Sequence, residues 1–106
     1  MTNITVWINP NCSKCQRIQD ILKQSNKVVK YRNYLEDPPS LEELRELSQI
    51  LEVTDLHELV RSNEQFPDNE SLLQALANNP EELLQRPIYI TEKKALIARP
   101  PEVILE

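Results

Sequence analysis

The start of the chain changes from a strand composition to a helix pattern at Asn9-Pro10. Ile4 to Ile8 contain β-branched residues and a tryptophan, which favours a short strand that the Asn-Pro pair ends. Ser13 to Gln24 follow, with apolar positions at helical spacing: Cys15, Ile18, Ile21 and Leu22. Val28 to Tyr34 form a second predicted strand, so the start of the chain predicts a β-α-β unit.

A longer helix is predicted after this unit. Asp37-Pro38-Pro39 breaks the chain, and Ser40 with Glu43 has the capping-box pattern that opens a helix. Leucines lie on one side of it: Leu41, Leu44, Leu47 and Leu51.

Three shorter helical pieces follow. Their predicted caps or starts are Asp55, Asp68 or Asn69, and Asn79-Pro80. The first piece is expected to run to about Arg61, and the third to end near Leu84.

The last part of the sequence predicts a β-hairpin and a short helix. Ile88 to Ile90 and Ala95 to Ala98 flank a turn at Thr91 to Lys94, and Pro101 starts a helix to Leu105. The complete order is that of an α/β thioredoxin-like fold, with a mixed central sheet flanked by helices. We therefore predict one domain over residues 1–106, with a helical insertion at about 40–85.

Composition fits a domain in a reducing compartment. The 106 residues are 40% apolar, and no apolar run approaches the roughly 20 residues that cross a bilayer. The first residues lack the pattern of a signal peptide. Two cysteines are typical of reactive thiols or metal ligands in such a chain, rather than of a disulfide framework. We expect a cytoplasmic monomer.

Charge and the absence of glycine exclude several classes of function. The net charge of −5 argues against direct binding to nucleic acid or to an anionic membrane. The chain has no glycine, which excludes a phosphate-cradling glycine-rich loop. If the ligand is an anion, a few placed arginines must overcome the repulsive background.

The pair Cys12 and Cys15 lies where the first strand gives way to the first helix. A thiol at such a turn meets the positive end of the helix dipole, which lowers a cysteine pKa below its free value of about 8.5. Cys12 is therefore the predicted nucleophile, with Lys14 and Arg17 adding positive charge nearby. Cys15 is within reach of a disulfide to Cys12 and is a candidate resolving thiol.

The two cysteines have three other interpretations. A zinc clip needs two more ligands, for which His57 is the other strong candidate, so no metal is predicted. A phosphatase-type loop needs a glycine-bearing anion cradle and one more residue between Cys12 and Arg17. The remaining alternative is that both cysteines are inert core residues, although only Cys15 falls on the apolar helix face.

Three arginines stand in specific sequence contexts later in the chain. Arg61 lies in HELVRSN, Arg86 in QRPIYIT and Arg99 in IARPPEVIL. Arg86 precedes Pro87 at the entrance to a predicted strand, where thioredoxin-like folds place a proline, typically cis, against the active-site cysteine. Each arginine by itself is equally compatible with an ordinary surface role.

Taken in order, five stretches resemble the ArsC family of glutaredoxin-coupled arsenate reductases and their relatives. They are NITVWINPNCSKCQRIQDIL, YLEDPPSLEELREL, LVRSNE, NPEELLQRPIYIT and ARPPEVIL. The resemblance covers essentially the whole chain, since the Asn-Pro-x-Cys, Arg-Pro-Ile and Arg-Pro-x-Glu-Val patterns arrive at the family's approximate spacing.

This resemblance implies that Cys12 attacks the arsenic of arsenate. It also implies an oxyanion site formed by Arg61, Arg86 and Arg99, with Asn9 and the structural prolines Pro10 and Pro87 at the cysteine turn. Glutathione as co-substrate, and glutaredoxin or thioredoxin as electron donor, then complete the reduction to arsenite, and no bound cofactor is implied. Arginine suits this role because its rigid donors remain charged.

Two positions depart from the family pattern. Ile8 stands where the best-known arsenate reductases have a histidine, and Cys15 stands where they commonly have a serine or another small residue. A glutathione-linked thiol oxidoreductase without arsenate activity is therefore an alternative. A second alternative is an Spx-type redox-switched regulator that binds RNA polymerase, since those proteins share the fold and the Cys-x-x-Cys pair.

Overall fold

The computed structural model describes residues 4–25, 28–51, 55–92 and 94–99, together with Glu102 and Ile104. The strands are β1 (Ile4–Ile8), β2 (Val29–Asn33), β3 (Ile88–Ile90) and β4 (Ala95–Ile97). The helices are α1 (Ser13–Gln24), α2 (Leu41–Ile50), α3 (Asn69–Asn78) and α4 (Pro80–Leu83), with a 3₁₀ helix at Leu56–Leu59 between α2 and α3.

The strands form one mixed sheet in the order β2-β1-β3-β4. β1 pairs with β2 in parallel, whereas β1 with β3 and β3 with β4 are antiparallel. This sheet and the element order confirm the predicted α/β class. Because β1 and β2 are parallel, their carboxyl ends lie at the same edge of the sheet, next to the cysteine turn. The extent of one domain over 1–106 stays a prediction.

Apolar residues pack on both faces of the sheet. On one face, Val6 and Tyr89 cluster with Ile18 and Leu22 of α1. The other face holds the larger cluster, with residues from β1, β3, β4, α2, α3 and the segments between them: Trp7, Tyr34, Leu44, Leu47, Leu51, Leu59, Val60, Leu72, Leu73, Leu76, Leu84, Ile88 and Ala95. Successive residues of β1 and β3 enter opposite clusters, as the period of a strand requires. Helices therefore cover both faces, and the cysteine turn leads from β1 into α1 on the face of the smaller cluster.

The predicted caps of α2 and α3 are confirmed. Ser40 and Glu43 form a reciprocal capping box at the start of α2, and the Asp68 side chain accepts from the backbone N–H of Ser71 in α3. These contacts satisfy N–H groups that the first turn of a helix leaves unpaired.

The segment after Asp55 differs from its prediction. It is a 3₁₀ helix that ends at Leu59, not a helix to about Arg61. Val60 is extended and forms a bridge with Leu84. The backbone N–H of Arg61 donates to Leu83 O at 2.7 Å, which takes these residues out of helical pairing.

Smaller differences lie at strand ends. β2 begins one residue after Val28, which is exposed, and ends before Tyr34; β4 ends before Ala98. Lys93 of the predicted hairpin turn and most of the predicted helix from Pro101 to Leu105 lie outside the described residues. Within the part of the chain that is described, no helix has the length and apolar character to cross a membrane.

Candidate active site

The turn between β1 and α1 is built without glycine. Asn9 is almost fully buried, and its Oδ1 accepts the backbone N–H of Asn11 at 2.9 Å. The N–H of Cys12 donates to the carbonyl oxygen of Asn9 at 3.0 Å, which closes the turn. Pro10 lies exposed at its tip. An asparagine side chain that bonds its own backbone two residues on makes a turn of this kind possible.

Cys12 is the N-cap residue of α1, and its thiol is partly exposed. Burial by itself raises the pKa of this thiol. The backbone N–H groups of Cys15 and Lys14 have the opposite effect, as do the Cys15 thiol and the Arg86 guanidinium. Together these donors outweigh burial, so the pKa of Cys12 is lowered and the thiolate is favoured.

Cys15 has the opposite character. It is 0% exposed and accepts the backbone N–H of Asn9 on its sulfur at 3.4 Å. Its pKa is raised to about 12, mainly by burial and in part by the neighbouring charge of Cys12. Both cysteines are free thiols in this structure. Cys15 thus keeps its proton and can donate it to the sulfur of Cys12.

Arg86 is the predicted arginine that reaches the cysteines. It follows α4, and the peptide bond that joins it to Pro87 is cis, as expected. Its Nη1 donates to the carbonyl oxygen of Glu81 at 3.0 Å, which holds one edge of the guanidinium. Its Nε is buried and has no hydrogen-bond partner among the described residues. The charge of Arg86 acts on both Cys12 and Cys15.

The other two predicted arginines lie further out. Arg99 is exposed, and its Nη1 donates to the carbonyl oxygen of Arg86 at 3.0 Å, so it joins the site through the backbone. Arg61 is also exposed, and its backbone N–H donates to the carbonyl oxygen of Leu83, shortly before Arg86 in the chain. The Arg99 guanidinium is thus held against the backbone of Arg86, and among the described residues no hydrogen bond fixes either arginine against Cys12.

Three other side chains named from the sequence interact away from the Cys12 thiol. Arg17 pairs with Glu102 at 3.1 Å, so its charge is partly compensated away from Cys12. Ile8 packs with the apolar cluster between the sheet and α1, and it brings no titratable group to the turn. His57 is engaged locally by Asp55 and by the N–H of Phe66. No cluster of three or more candidate metal ligands occurs among the described residues.

Sequence reasoning missed Tyr34. Its side chain is fully buried, and its backbone N–H donates to the carbonyl oxygen of Ile8 at 3.3 Å. The hydroxyl lies in the electrostatic environment of Arg86, Asn9 and Cys15. A signal was present, since a residue at the carboxyl end of β2 must lie beside the carboxyl end of β1 when the two strands are parallel.

The fold and the turn together define a thioredoxin-like protein that presents a thiol at its first strand-to-helix junction. The model of the ArsC family matches residues 7–106, and the chain belongs to the ArsC family. The predicted family resemblance is thereby confirmed.

Relatives and a solved structure align over nearly the whole chain. The chain is 34% identical to "Uncharacterized protein YfgD" of Escherichia coli K12, over 97% of this chain and 94% of that protein. It is 31% identical to the arsenate reductase of Neisseria meningitidis serogroup A, over 98% and 97% of the two chains. The structure of the arsenate reductase from Vibrio cholerae superimposes with a TM-score of 0.89 at 29% identity, covering 98% of this chain and 96% of that one. These similarities establish the thioredoxin-like fold.

Proposed function

We propose that this protein is a thiol-dependent reductase that converts arsenate to arsenite, with Cys12 as the nucleophile. The observation that carries the proposal is the combination of a thiol of lowered pKa with an arginine that acts directly on it. A thiolate and a divalent oxyanion repel each other, and a fixed guanidinium between them removes much of that barrier. The activity named for the Neisseria and Vibrio relatives supports the same substrate.

The reaction follows from these groups. The Cys12 thiolate attacks the arsenic(V) centre, a sulfur–arsenic bond forms, and one oxygen leaves as water after it takes protons from solvent. A second thiol then attacks the Cys12 sulfur, the sulfur–arsenic bond breaks, and its electron pair stays on arsenic as arsenite. Two thiols are oxidised to a disulfide while arsenic(V) is reduced to arsenic(III). We propose glutathione as the second thiol, and glutaredoxin or thioredoxin as the donor that restores Cys12.

Arg86 is the principal oxyanion-binding residue in this proposal. One edge of its guanidinium is held by Glu81, and its charge is directed to Cys12. Arg99 and Arg61 extend the positive surface outward, where an exposed arginine attracts an anion but is not preorganised to hold it. We expect the loss of Arg86 to reduce kcat/KM more than the loss of either of the other two.

The test is arsenite formation from arsenate in the presence of glutathione, glutaredoxin and their reducing system. The wild-type protein should form arsenite, and Cys12→Ser should not. Arg86→Lys should lower kcat/KM by about 10- to 1,000-fold, since lysine keeps the charge but loses the rigid set of donors. Arg45→Lys is the matched control, because Arg45 pairs with Glu70 on the α2–α3 surface and should change little. Arsenite formation no higher than with Cys12→Ser would refute the proposed activity.

Ile8 favours a second candidate, a glutathione-linked thiol oxidoreductase without arsenate activity. Ile8 packs into an apolar cluster, so the turn lacks a side chain at that position to assist proton transfer to oxygen. A thiol–disulfide exchange reaction does not need such a group. If the protein reduces glutathione mixed disulfides while arsenate leaves the rate unchanged, this second function replaces the first. The Spx-type regulator stays a prediction; capture of RNA polymerase from lysate in only one redox state would support it.

A further inference from the structure

Two buried polar atoms beneath the cysteine turn lack hydrogen-bond partners among the described residues. They are Oη of Tyr34 and Nε of Arg86. Tyr34 is 0% exposed, so its hydroxyl lies inside the protein. Native proteins seldom leave such atoms unpaired, and an exception of this kind next to a reactive site points to a functional state in which the partner appears.

The backbone places the Tyr34 hydroxyl at the base of the site. Tyr34 follows β2, and its N–H donates to the carbonyl oxygen of Ile8, the last residue of β1. Burial is the main effect on this hydroxyl and raises its pKa, so it stays protonated at neutral pH. Asn9 follows Ile8 in the chain and donates its N–H to the sulfur of Cys15 at 3.4 Å, so the backbone brings Tyr34 close to Cys15. The charges of Arg86 and Cys15 and hydrogen bonding with Asn9 also act on the hydroxyl.

The groups around Cys15 are mainly donors. The guanidinium of Arg86 has no acceptor, and the backbone N–H of Asn9 already donates to the Cys15 sulfur. The Oδ1 of Asn9 is used by the N–H of Asn11. The sulfur of Cys15 is fully buried and accepts from this donor-rich surrounding. A set of hydrogen-bond donors around a buried sulfur stabilises negative charge on that sulfur.

We propose that Tyr34 is a positioning residue for Cys15, and that its hydroxyl, with Nε of Arg86, stabilises the Cys15 thiolate while Cys15 resolves a covalent intermediate on Cys12. This inference rests on the proposed role of Cys12 as the nucleophile. In this inference Cys15, in place of glutathione, is the second thiol that attacks the sulfur of Cys12.

The order of events follows from the charges. While Cys12 is a thiolate, its charge and the burial of Cys15 keep the second thiol protonated. An adduct on Cys12 removes that negative charge, and the donors from Tyr34, Arg86 and Asn9 remain. Cys15 then attacks the sulfur of Cys12, a disulfide forms, and the bond from Cys12 to the adduct breaks.

The leaving group takes the electron pair and the proton that Cys15 loses. An arsenic(V) adduct leaves as arsenite, and a mixed disulfide leaves as a thiol. An external dithiol must then reduce the Cys12–Cys15 disulfide, and it is itself oxidised to a disulfide.

The test uses DTNB, a chromogenic aromatic disulfide, with the reduced full-length protein. Attack by Cys12 releases one coloured thiolate and leaves an aromatic mixed disulfide, and attack by Cys15 releases the second. Rapid mixing therefore separates the two steps in one experiment. Tyr34→Phe removes the hydroxyl and preserves the ring, and Tyr89→Phe is the matched control in the apolar cluster that contains α1.

We expect Tyr34→Phe to leave the first release within about twofold of wild type and to slow the second by about 10- to 100-fold, the factor for a lost hydrogen bond to a charged group. Tyr89→Phe should change neither step, and Cys15→Ser should abolish the second. An unchanged second step in Tyr34→Phe, or equal slowing of both steps, would overturn the assignment. So would a second release in Cys15→Ser at the wild-type rate.

A pH series of the wild-type protein keeps the test decisive if Tyr34→Phe does not fold. The rate of the second release should level off within the pH range in which DTNB is stable, because the pKa of Cys15 falls once Cys12 is capped. A rate that still rises about tenfold per pH unit at the upper end of that range, as for a thiol whose pKa stays at about 12, would contradict the proposal. Arsenite formation is measured separately, so the loss of arsenate activity with both DTNB steps intact would refute the proposed substrate and leave the role of Tyr34 standing.

Discussion

The difference between the two thiols is the most direct prediction that the site makes. The perturbation is alkylation of the reduced protein with iodoacetamide, which reacts with thiolates, at a series of pH values. Cys12 has a lowered pKa and is partly exposed, whereas the pKa of the buried Cys15 is raised from 9.0 to about 12. We expect Cys12 to be modified first and Cys15 to be strongly protected.

The magnitude follows from the thiolate fractions. At pH 7 a thiol with a pKa of 9.0 is about 1% ionised, and one with a pKa of about 12 is about 0.001% ionised. The folded protein should therefore modify Cys15 about 1,000-fold more slowly than the same chain in denaturant, before steric protection is added. For Cys12 the pH midpoint of alkylation should lie below that of the denatured chain.

The assay is quenched labelling followed by peptide mass spectrometry, with the denatured chain as the reference for both cysteines. Cys12 and Cys15 must be separated by cleavage at Lys14 before their modified fractions are counted. A folded protein that modifies Cys15 within tenfold of the denatured rate at pH 7 would refute the reasoning. An alkylation midpoint for Cys12 at or above that of the denatured chain would do the same.

Two further predictions concern stability. Hydrogen bonding to Arg32 lowers the pKa of Glu43 to about 2, so the stabilisation from this carboxylate is present above 4.5 and is lost as the pH falls from 4.5 to about 2. In urea unfolding, Glu43→Gln should have a lower free energy of unfolding than wild type at pH 7, and this difference should shrink as the pH falls towards 2. A difference of the same size at pH 7 and at low pH would contradict the prediction. Leu44→Ala should lower the free energy of unfolding by about 2–5 kcal/mol, because Leu44 is fully buried in the larger cluster. Ile50→Ala, at the exposed end of α2, is the matched control, and equal losses at both positions would count against the burial argument.

Most of the fold could be predicted because its local signals agree with its packing. β1, α1 and β3 have the predicted bounds, and the capping residues Ser40 and Asp68 fix where α2 and α3 begin. The predicted end of the helix after Asp55 is wrong because the local helix signal competes with long-range strand pairing. Val60 is β-branched and pairs with Leu84, and no local sequence pattern predicts a partner so distant in the chain.

The candidate site was only partly predictable. The position of Cys12 follows from a strand that turns into a helix, which is a local pattern. The sequence context of Arg86 predicts its place in the site, but its electrostatic effect on the cysteines requires the sheet to bring β3 beside β1. Arg61 and Arg99 were named with equal weight, and the structure leaves both exposed. Tyr34 was missed because the end of a predicted strand looked like ordinary core.

The sequence by itself determined the elements, the cysteine pair at a strand-to-helix turn and the exclusion of a glycine-rich loop, since these depend on residue type and spacing. Tertiary structure decided how the surroundings of the two thiols differ. Cys12 and Cys15 are three residues apart, and their pKa values are shifted in opposite directions because Cys15 is fully buried, whereas the hydrogen-bond donors around the partly exposed Cys12 outweigh its burial. A pKa depends on burial and on charges that lie far away in sequence, so the spacing of two cysteines cannot assign their roles.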